Sequence, residues 1–331
     1  MELTTKYMGL KLRNPLIASA SPLNAELANL QRLEEAGAAA VVLPSLFEEQ
    51  IDADAARYDH VTAVSAESSP EAQSYFPPPV AYRVGPDQYL DLIRRARTAL
   101  DIPVIASLNG ASNHGWISHA KAIEDAGAHG LELNIYFIPS DLSLTGAEVE
   151  ARYLSIVGAV RKMVTIPVAV KLNPYFSAIG NMALALECAG ADGLVLFNRF
   201  YQPDIDLAEL KVLTDLKLST PNEIRLPLLW LSLLSGRTKA SLAATSGVSS
   251  ADEVVKYLLV GADVVMTTSS LLRQGIGHMS TLLTGLEHWL QARGFASVGE
   301  MRGLLRHERM ADPEALERAN YIAILQGFGR G

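Results

Sequence analysis

One phrase recurs four times and constrains the fold more than any other feature. It reads Ala36-Gly37-Ala38 before AAVVLPS, Ala126-Gly127-Ala128 before HGLELN, Ala189-Gly190-Ala191 before DGLVLFN, and Val260-Gly261-Ala262 before DVVMTTS. Each copy ends a helical stretch, stops it with glycine and enters a short apolar run. A helix feeding a buried strand again and again is the pattern of a parallel sheet. Ligands bind such sheets at the strand ends, where each apolar run turns polar.

Four further runs fill the gaps: NPLIASAS over 14–21, IPVIASLNG over 102–110, IPVAVKLN over 166–173 and ASLAATSG over 240–247. Together they place strand starts near 15, 40, 103, 131, 167, 193, 241 and 263. Helical stretches such as AELANLQRLEEAG, DQYLDLIRRARTAL and SSADEVVKYLLVGA separate most of them. Eight strands with crossover helices predict a (β/α)₈ barrel. A doubly wound open sheet is the competitor, but it usually has fewer strands, and nothing in the alternation signals a reversal. The chain of 331 residues is read as one barrel domain.

Composition excludes several functions. The net charge of −8 comes without a basic stripe, so nucleic acid is not an expected partner. The lone Cys188 excludes an intrachain disulfide and a Cys-rich metal site, and its helical segment ALECAG reads as core. No apolar run reaches spanning length; IRLPLLWLSLL over 224–234 is the most apolar. No membrane partner is expected, and the cytoplasm is the expected location.

The alternating start, LTTKYMGLKLRNP, predicts a hairpin over the barrel bottom. Long connections follow the second and sixth strands, over 48–86 and 199–230. Loops this long are usually lids or binding elements. Residues 280–331 read as helical, with a joint at GFASVGEMRG.

The strand ends bring together residues far apart in sequence: Ala18, Ser19 and Ala20; Pro44 and Ser45; Asn109; Asn134; Lys171 and Asn173; Asn198; Ser246 and Gly247; Thr267 and Thr268. The set holds one cation, several amides and small hydroxyls, with no carboxylate pair and no His cluster. That disfavours glycoside hydrolysis and zinc or magnesium chemistry. It suits a flat polar heterocycle. The loops TSGVSSADEV and TTSSLL place small residues before helix starts, where free N–H groups can hold a phosphate. Lys171 admits three readings: a cation that stabilises charge on a reduced flavin, a Schiff-base amine, or a lysine reaching out to solvent. Asn134 and Asn198 either close local turns or offer amides to an imide-like ring edge.

These residues resemble the dihydroorotate dehydrogenase family across most of the chain. NPLIASAS is similar to the family's first-strand motif, LELNIYFIPS to its ELN segment, IPVAVKLNPYF to its PVxVKLxP segment, and LAATSGV and DVVMTTSSLL to its phosphate loops. RLPLLWLSLLSGR, the MRG joint and ERANYIAIL carry a closer match to a dihydroorotate dehydrogenase-like branch. The resemblance implies FMN as cofactor and two-electron transfer with a dihydropyrimidine-like substrate. It implies that Ala18, Ser19, Ala20, Ser45 and Asn109 lie around the flavin, and that Lys171 lies at the flavin pyrimidine edge, where reduction builds negative charge. Asn134 would contact flavin or substrate, and Asn198 would face the substrate. Ser235, Gly236, Ser246, Gly247, Val248, Thr267 and Thr268 would bind the phosphate.

The departures concern the chemistry. The family's proton-abstracting Cys or Ser would stand at Phe137, leaving Ser140 and Tyr136 as candidate bases. Pro44 replaces the family's lysine after strand two, and a run rich in proline and aromatics over 75–79 replaces its substrate loop. FMN binding is expected to survive these changes better than dihydroorotate oxidation. No iron–sulfur motif exists in the sequence, so a separate acceptor, small molecule or protein, is expected to take the electrons. A homodimer is the assembly entertained. A Schiff-base aldolase or lyase using Lys171, and a non-catalytic flavin-binding paralogue, are the alternatives.

Overall fold

The computed structural model describes residues 1–47, 86–110, 113–199, 203–213 and 217–310. Eight parallel strands close into a barrel: β3 (Leu16–Ala18), β4 (Ala40–Phe47), β5 (Val104–Asn109), β6 (Gly130–Asn134), β7 (Val168–Leu172), β8 (Gly193–Leu196), β11 (Ser241–Ala244) and β12 (Val264–Thr267). Each pairs with the next in this order, and β12 closes the ring on β3. Every strand starts within one residue of its expected position.

The crossover helices are α1 (Leu27–Glu35), α2 (Pro86–Ala99), α3 (Asn113–Asp125), α4 (Gly146–Met163), α5 (Ile179–Ala189), α6 (Arg225–Leu234), α7 (Ala251–Leu259) and the short α8 (Ser269–Gln274). α9 (His278–Arg293) and α10 (Val298–Met301) follow, joined at Gly294. The apolar segment over 224–234 is largely α6, and no described helix is long and apolar enough to cross a membrane.

Strand alternation sorts the side chains into two cores. Leu131 and Leu133 of β6, and Val168, Val170 and Leu172 of β7, pack outward against the helices. Ile17, Val42, Ile105, Ala169, Val195, Ala243, Val264 and Met266 fill the barrel interior. The expected N-terminal hairpin is present as β1 (Thr5–Tyr7) and β2 (Leu10–Leu12). It plugs the barrel bottom: Met8 N–H donates to Ser241 Oγ at 2.9 Å, and Tyr7 and Met8 join the interior core. Gly193 leaves the space they need, since a Cβ there would stand 2.9 Å from Met8 Cγ.

The repeated phrase has a mechanical reading that sequence alone did not give. Glu34, Glu124 and Glu187 each stand three residues before the glycine. Each carboxylate accepts backbone N–H groups from a loop that enters a strand further round the barrel: Asp101 and Ile102, Thr165 and Ile166, and Lys239. Two residues after the glycine, His129, Asp192 and Asp263 accept the N–H of Val104, Val168 and Leu242 on the preceding strand. Each unit therefore satisfies the bottom-edge donors of its neighbours. Cys188 departs from its expected core position: it is exposed, because α5 buries Ile179, Met182, Ala183 and Leu186 on its other face.

Of the two long connections, the first lies outside the described residues over 48–85. In the second, β9 (Asp204–Asp206) and β10 (Lys211–Leu213) form an antiparallel hairpin, and a 3₁₀ turn at Pro221–Ile224 leads into α6.

Candidate functional site

A cavity of about 160 Å³ opens where β3, β7, β8, β11 and β12 end. It continues into a groove of about 380 Å³ through the shared residues Phe197, Asn198, Arg199 and Ser246. One side of the cavity carries Lys171. The other carries Ser219, Ser246, Gly247, Thr267, Thr268 and Ser269. No carboxylate is among the described residues lining it, whereas Lys171 and Arg199 are cations.

The hydroxyl side is cross-braced. Ser219 Oγ donates to Ser269 Oγ at 2.9 Å and accepts Gly247 N–H at 3.1 Å. Thr267 Oγ1 and Ser270 Oγ are hydrogen-bonded at 2.7 Å, and Thr268 Oγ1 donates to Ser19 O at 3.0 Å. Ser246 and Gly247 both adopt left-handed backbone, with φ of 78° and 71°. A Cβ on Gly247 would stand 2.7 Å from Ile224 Cγ2 and 2.8 Å from Thr220 O, so only glycine fits. A non-glycine residue held in that conformation is a strain that clusters at binding sites. Tyr257 braces the loop from below by donating to Ser246 O at 2.8 Å, and burial pushes its hydroxyl pKa far up.

The helix start after β11 differs from expectation. Ser250 caps α7, but Glu253 Oε2 already accepts the N–H groups of Ser249 and Ser250, at 3.3 and 2.7 Å. These donors serve a capping box. What remains open to an anion on this side is the Ser246–Gly247–Val248 loop and the hydroxyl ring.

On the other side, the interior faces of β6 and β7 bring polar side chains together. Asn134 pairs with Lys171 across the ladder, and Asn198 Nδ2 donates to Asn134 Oδ1 at 2.7 Å. Lys171 Nζ lies 3.4 Å from Glu132 Oε1, with Glu132 1% exposed. Asn173 is spent on structure: it donates to Tyr153 Oη at 2.9 Å and accepts Tyr175 N–H at 2.8 Å. Burial pushes the Tyr153 hydroxyl up to about 12, against the opposing effect of that hydrogen bond.

The structure gathers Ser19, Ala20, Lys171, Asn198, Ser246, Gly247, Val248, Thr267 and Thr268 in the cavity, with Asn134 one hydrogen bond behind. Ala18 is not brought there; its side chain faces the outer core. Ser45 and Asn109 lie on the neighbouring strands. Ser45 Oγ is bonded to Ser107 Oγ at 2.8 Å, beyond a register shift around Pro44, and Asn109 is buried. Ser235 and Gly236 are a correction. They follow α6 at the opposite end of the barrel, with Ser235 packed against Gly261 before β12 and Gly236 beside Arg306 and Glu308. The reason is chain direction: α6 runs down the barrel wall, so its C-terminus reaches the bottom.

The residue that takes their place is Ser219. The signal for it was the Ser219-Thr220-Pro221 triplet at the start of the 3₁₀ turn, a helix-entry pattern on the catalytic face.

The loop after β6 carries the candidate bases. Phe137 lies under the Arg152 guanidinium, 4.1 Å from ring centroid to charge. Tyr136 is half-buried and Ser140 is exposed, and neither lines the cavity. Neither candidate base therefore stands in the described lining.

A dihydroorotate dehydrogenase family model matches residues 82–290, more than half of the chain. The catalytic subunit of dihydroorotate dehydrogenase B (NAD(+)) from Methanothermobacter thermautotrophicus is 27% identical, over 91% of this chain and 98% of its own. The same-named subunit of Pyrococcus abyssi is 26% identical over the same shares. The NAD-dependent dihydropyrimidine dehydrogenase subunit PreA of Escherichia coli K12 is 23% identical, over 97% of this chain and 80% of its own. With the closed barrel and a cation, amide and hydroxyl pocket at its strand ends, the match establishes that this chain belongs to the dihydroorotate dehydrogenase family.

Proposed function

We propose that this chain is a cytoplasmic FMN-dependent oxidoreductase that acts on the ring C–C bond of a dihydropyrimidine-like substrate and passes the electrons to a separate acceptor. One observation carries the reading: a single cavity holds Lys171 at one side and the strained Ser246–Gly247 loop with its hydroxyl ring at the other. That donor set fits FMN. The hydroxyls, Gly247 and Val248 would hold the phosphate, Ser19 and Ala20 would line the ring, and Lys171 would stand at its pyrimidine edge. When bound, the flavin accepts the two electrons released as the substrate's C–C single bond becomes double.

The chain's own residues have three tasks in this scheme. The amides of Asn134 and Asn198, already aligned by their mutual hydrogen bond, present donor and acceptor atoms to an imide-like edge. Lys171 supplies positive charge on the ring's polar edge. A proton leaving the substrate carbon needs an acceptor, and Tyr136 or Ser140 from the loop after β6 is the candidate. All three NAD-linked relatives described above are named as subunits, which supports an electron acceptor carried by another chain.

A second reading is a flavin-binding paralogue without dihydroorotate activity. Phe137 at the family's base position, held by Arg152, favours it. The Schiff-base alternative needs a neutral amine, and Glu132 at 3.4 Å is a partner suited to a charged one.

The visible spectrum of the purified protein tests the proposal. A yellow protein with a flavin spectrum is expected, bleached under anaerobic conditions by a dihydropyrimidine. Protein that is colourless, and stays so with excess FMN, overturns it.

A further inference from the structure

Glu132 is a charged side chain inside the barrel that the scheme above does not use. It points inward because its neighbours Leu131 and Leu133 belong to the outer core. Around it the interior is largely apolar: Ile105, Ala169, Val195 and Ala243 face inward on other strands, and the buried Ser107 across the ladder has its hydroxyl hydrogen-bonded to Ser45. Its distance of 3.4 Å to Lys171 is long for a charge-assisted hydrogen bond. Its second oxygen, Oε2, has no hydrogen-bond partner among the described residues, and neither has the buried hydroxyl of Tyr7 in the hairpin plug. The two groups sense each other. The Tyr7 hydroxyl is pushed well above its ordinary range, first by burial and then by the charge on Glu132.

A fold optimised for stability alone would not keep this arrangement. A buried ion pair is often no better than well-packed apolar residues of the same volume. An unsatisfied carboxylate oxygen adds a further cost. A structural role is therefore a poor account of Glu132, while its one hydrogen-bond partner among the described residues lines the candidate site.

We infer that Glu132 is a positioning residue that holds the Lys171 ammonium at the barrel mouth and offsets part of its charge, so that the pair sets the potential of the bound flavin. The inference rests on the FMN reading. It predicts opposite signs for the two partners. Lys171→Met removes positive charge beside the ring and makes reduction harder. Glu132→Gln removes the opposing negative charge and makes reduction easier.

The experiment measures flavin midpoint potentials at pH 7 for Lys171→Met, Glu132→Gln, Glu132→Asp and the double variant Lys171→Met/Glu132→Gln. The expected order places Glu132→Gln above wild type, Glu132→Asp near it and Lys171→Met below it. The double variant should lie above Lys171→Met. If Glu132→Gln alone fails to fold, that last comparison decides, because the double variant buries no unpaired charge. A Glu132→Gln potential that is unchanged or lowered makes Glu132 a mere anchor and overturns the inference, as does a double variant equal to Lys171→Met.

A second arm uses urea unfolding of the cofactor-free protein. The pair predicts that the double variant recovers part of the stability lost by the single ones; strictly additive losses overturn the pairing. This arm needs no flavin. A protein that never takes up FMN therefore sinks the cofactor reading, while the pairing is still decided by unfolding.

Discussion

Phe137 shows what one residue can remove from a site that otherwise resembles the family's. A side chain without an ionisable group stands where the family resemblance places the base, and Arg152 is committed to its ring. Loss of a general base costs roughly two to four orders of magnitude in rate. Bound flavin should accordingly be reduced by dihydroorotate that much more slowly than a family member with Cys or Ser at this position would reduce its own. Stopped-flow reduction checks this; rapid bleaching would mean that Tyr136 or Ser140 reaches the substrate. Phe137→Cys alone should leave the rate well below that of a complete site, because the run over 75–79 also departs from the family's substrate loop. Gly247 makes the opposite point, that a residue with no side chain can be indispensable. Gly247→Ala combines a left-handed φ with a close approach to Ile224 and Thr220. The strain should cost about 1–3 kcal/mol and abolish tight FMN binding, read by urea unfolding and by flavin fluorescence titration.

At the scale of elements, the helix-end glutamates do work that helix propensity cannot explain. Glu124, near the end of α3, accepts Thr165 N–H at 2.7 Å, Thr165 Oγ1 at 2.6 Å and Ile166 N–H at 3.1 Å, fixing the loop that enters β7. Burial alone would raise its pKa, but hydrogen bonds from Lys121 and Thr165 outweigh it and hold the carboxyl at about 2. The folded pKa lies below the ordinary value of 4.5, so the stabilisation is complete above that value. It is lost as pH falls from about 4.5 towards about 2. Glu124→Gln should cost about 1–3 kcal/mol at pH 7 and flatten this part of the stability–pH curve, measured by urea unfolding at stepped pH. A variant with the same acid slope as wild type would show that other carboxylates dominate. The rest of the pattern was legible early. The Ala-Gly phrase marked helix stops, but that its Glu three residues earlier grips a loop further round the barrel is a long-range fact, invisible to local reading.

At the scale of the molecule, the candidate site is assembled by ring closure. Ser19 and Ala20 follow the first barrel strand, Lys171 lies on the fifth, and Thr267 and Thr268 end the last. A ligand that touches all three regions binds only the closed barrel, so it should stabilise the whole fold. FMN at one hundred times its dissociation constant should add about 2.7 kcal/mol. Thermal unfolding should shift upward with FMN concentration, with far-UV and near-UV signals moving together. No shift at saturating FMN would show that the cavity does not take the cofactor.

The sequence by itself determined the architecture. Hydrophobic runs, glycine stops and helical spacing are local signals, and eight of them in regular alternation leave little besides a closed parallel barrel. It also determined the chemical character of the strand ends, since Lys171, Asn134, Asn198 and the Ser246–Gly247 pair could be read from the polar residue after each apolar run. Tertiary structure decided the remainder. It decided that Ala18 faces outward, because strand alternation alternates faces. It decided that Ser219, and not Ser235, meets Gly247, because α6 carries the latter to the far end. It decided that Glu132 and Lys171, 39 positions apart, share the barrel interior. Such contacts depend on strand register and barrel closure, which bring together residues whose own neighbours in the chain carry no trace of the meeting.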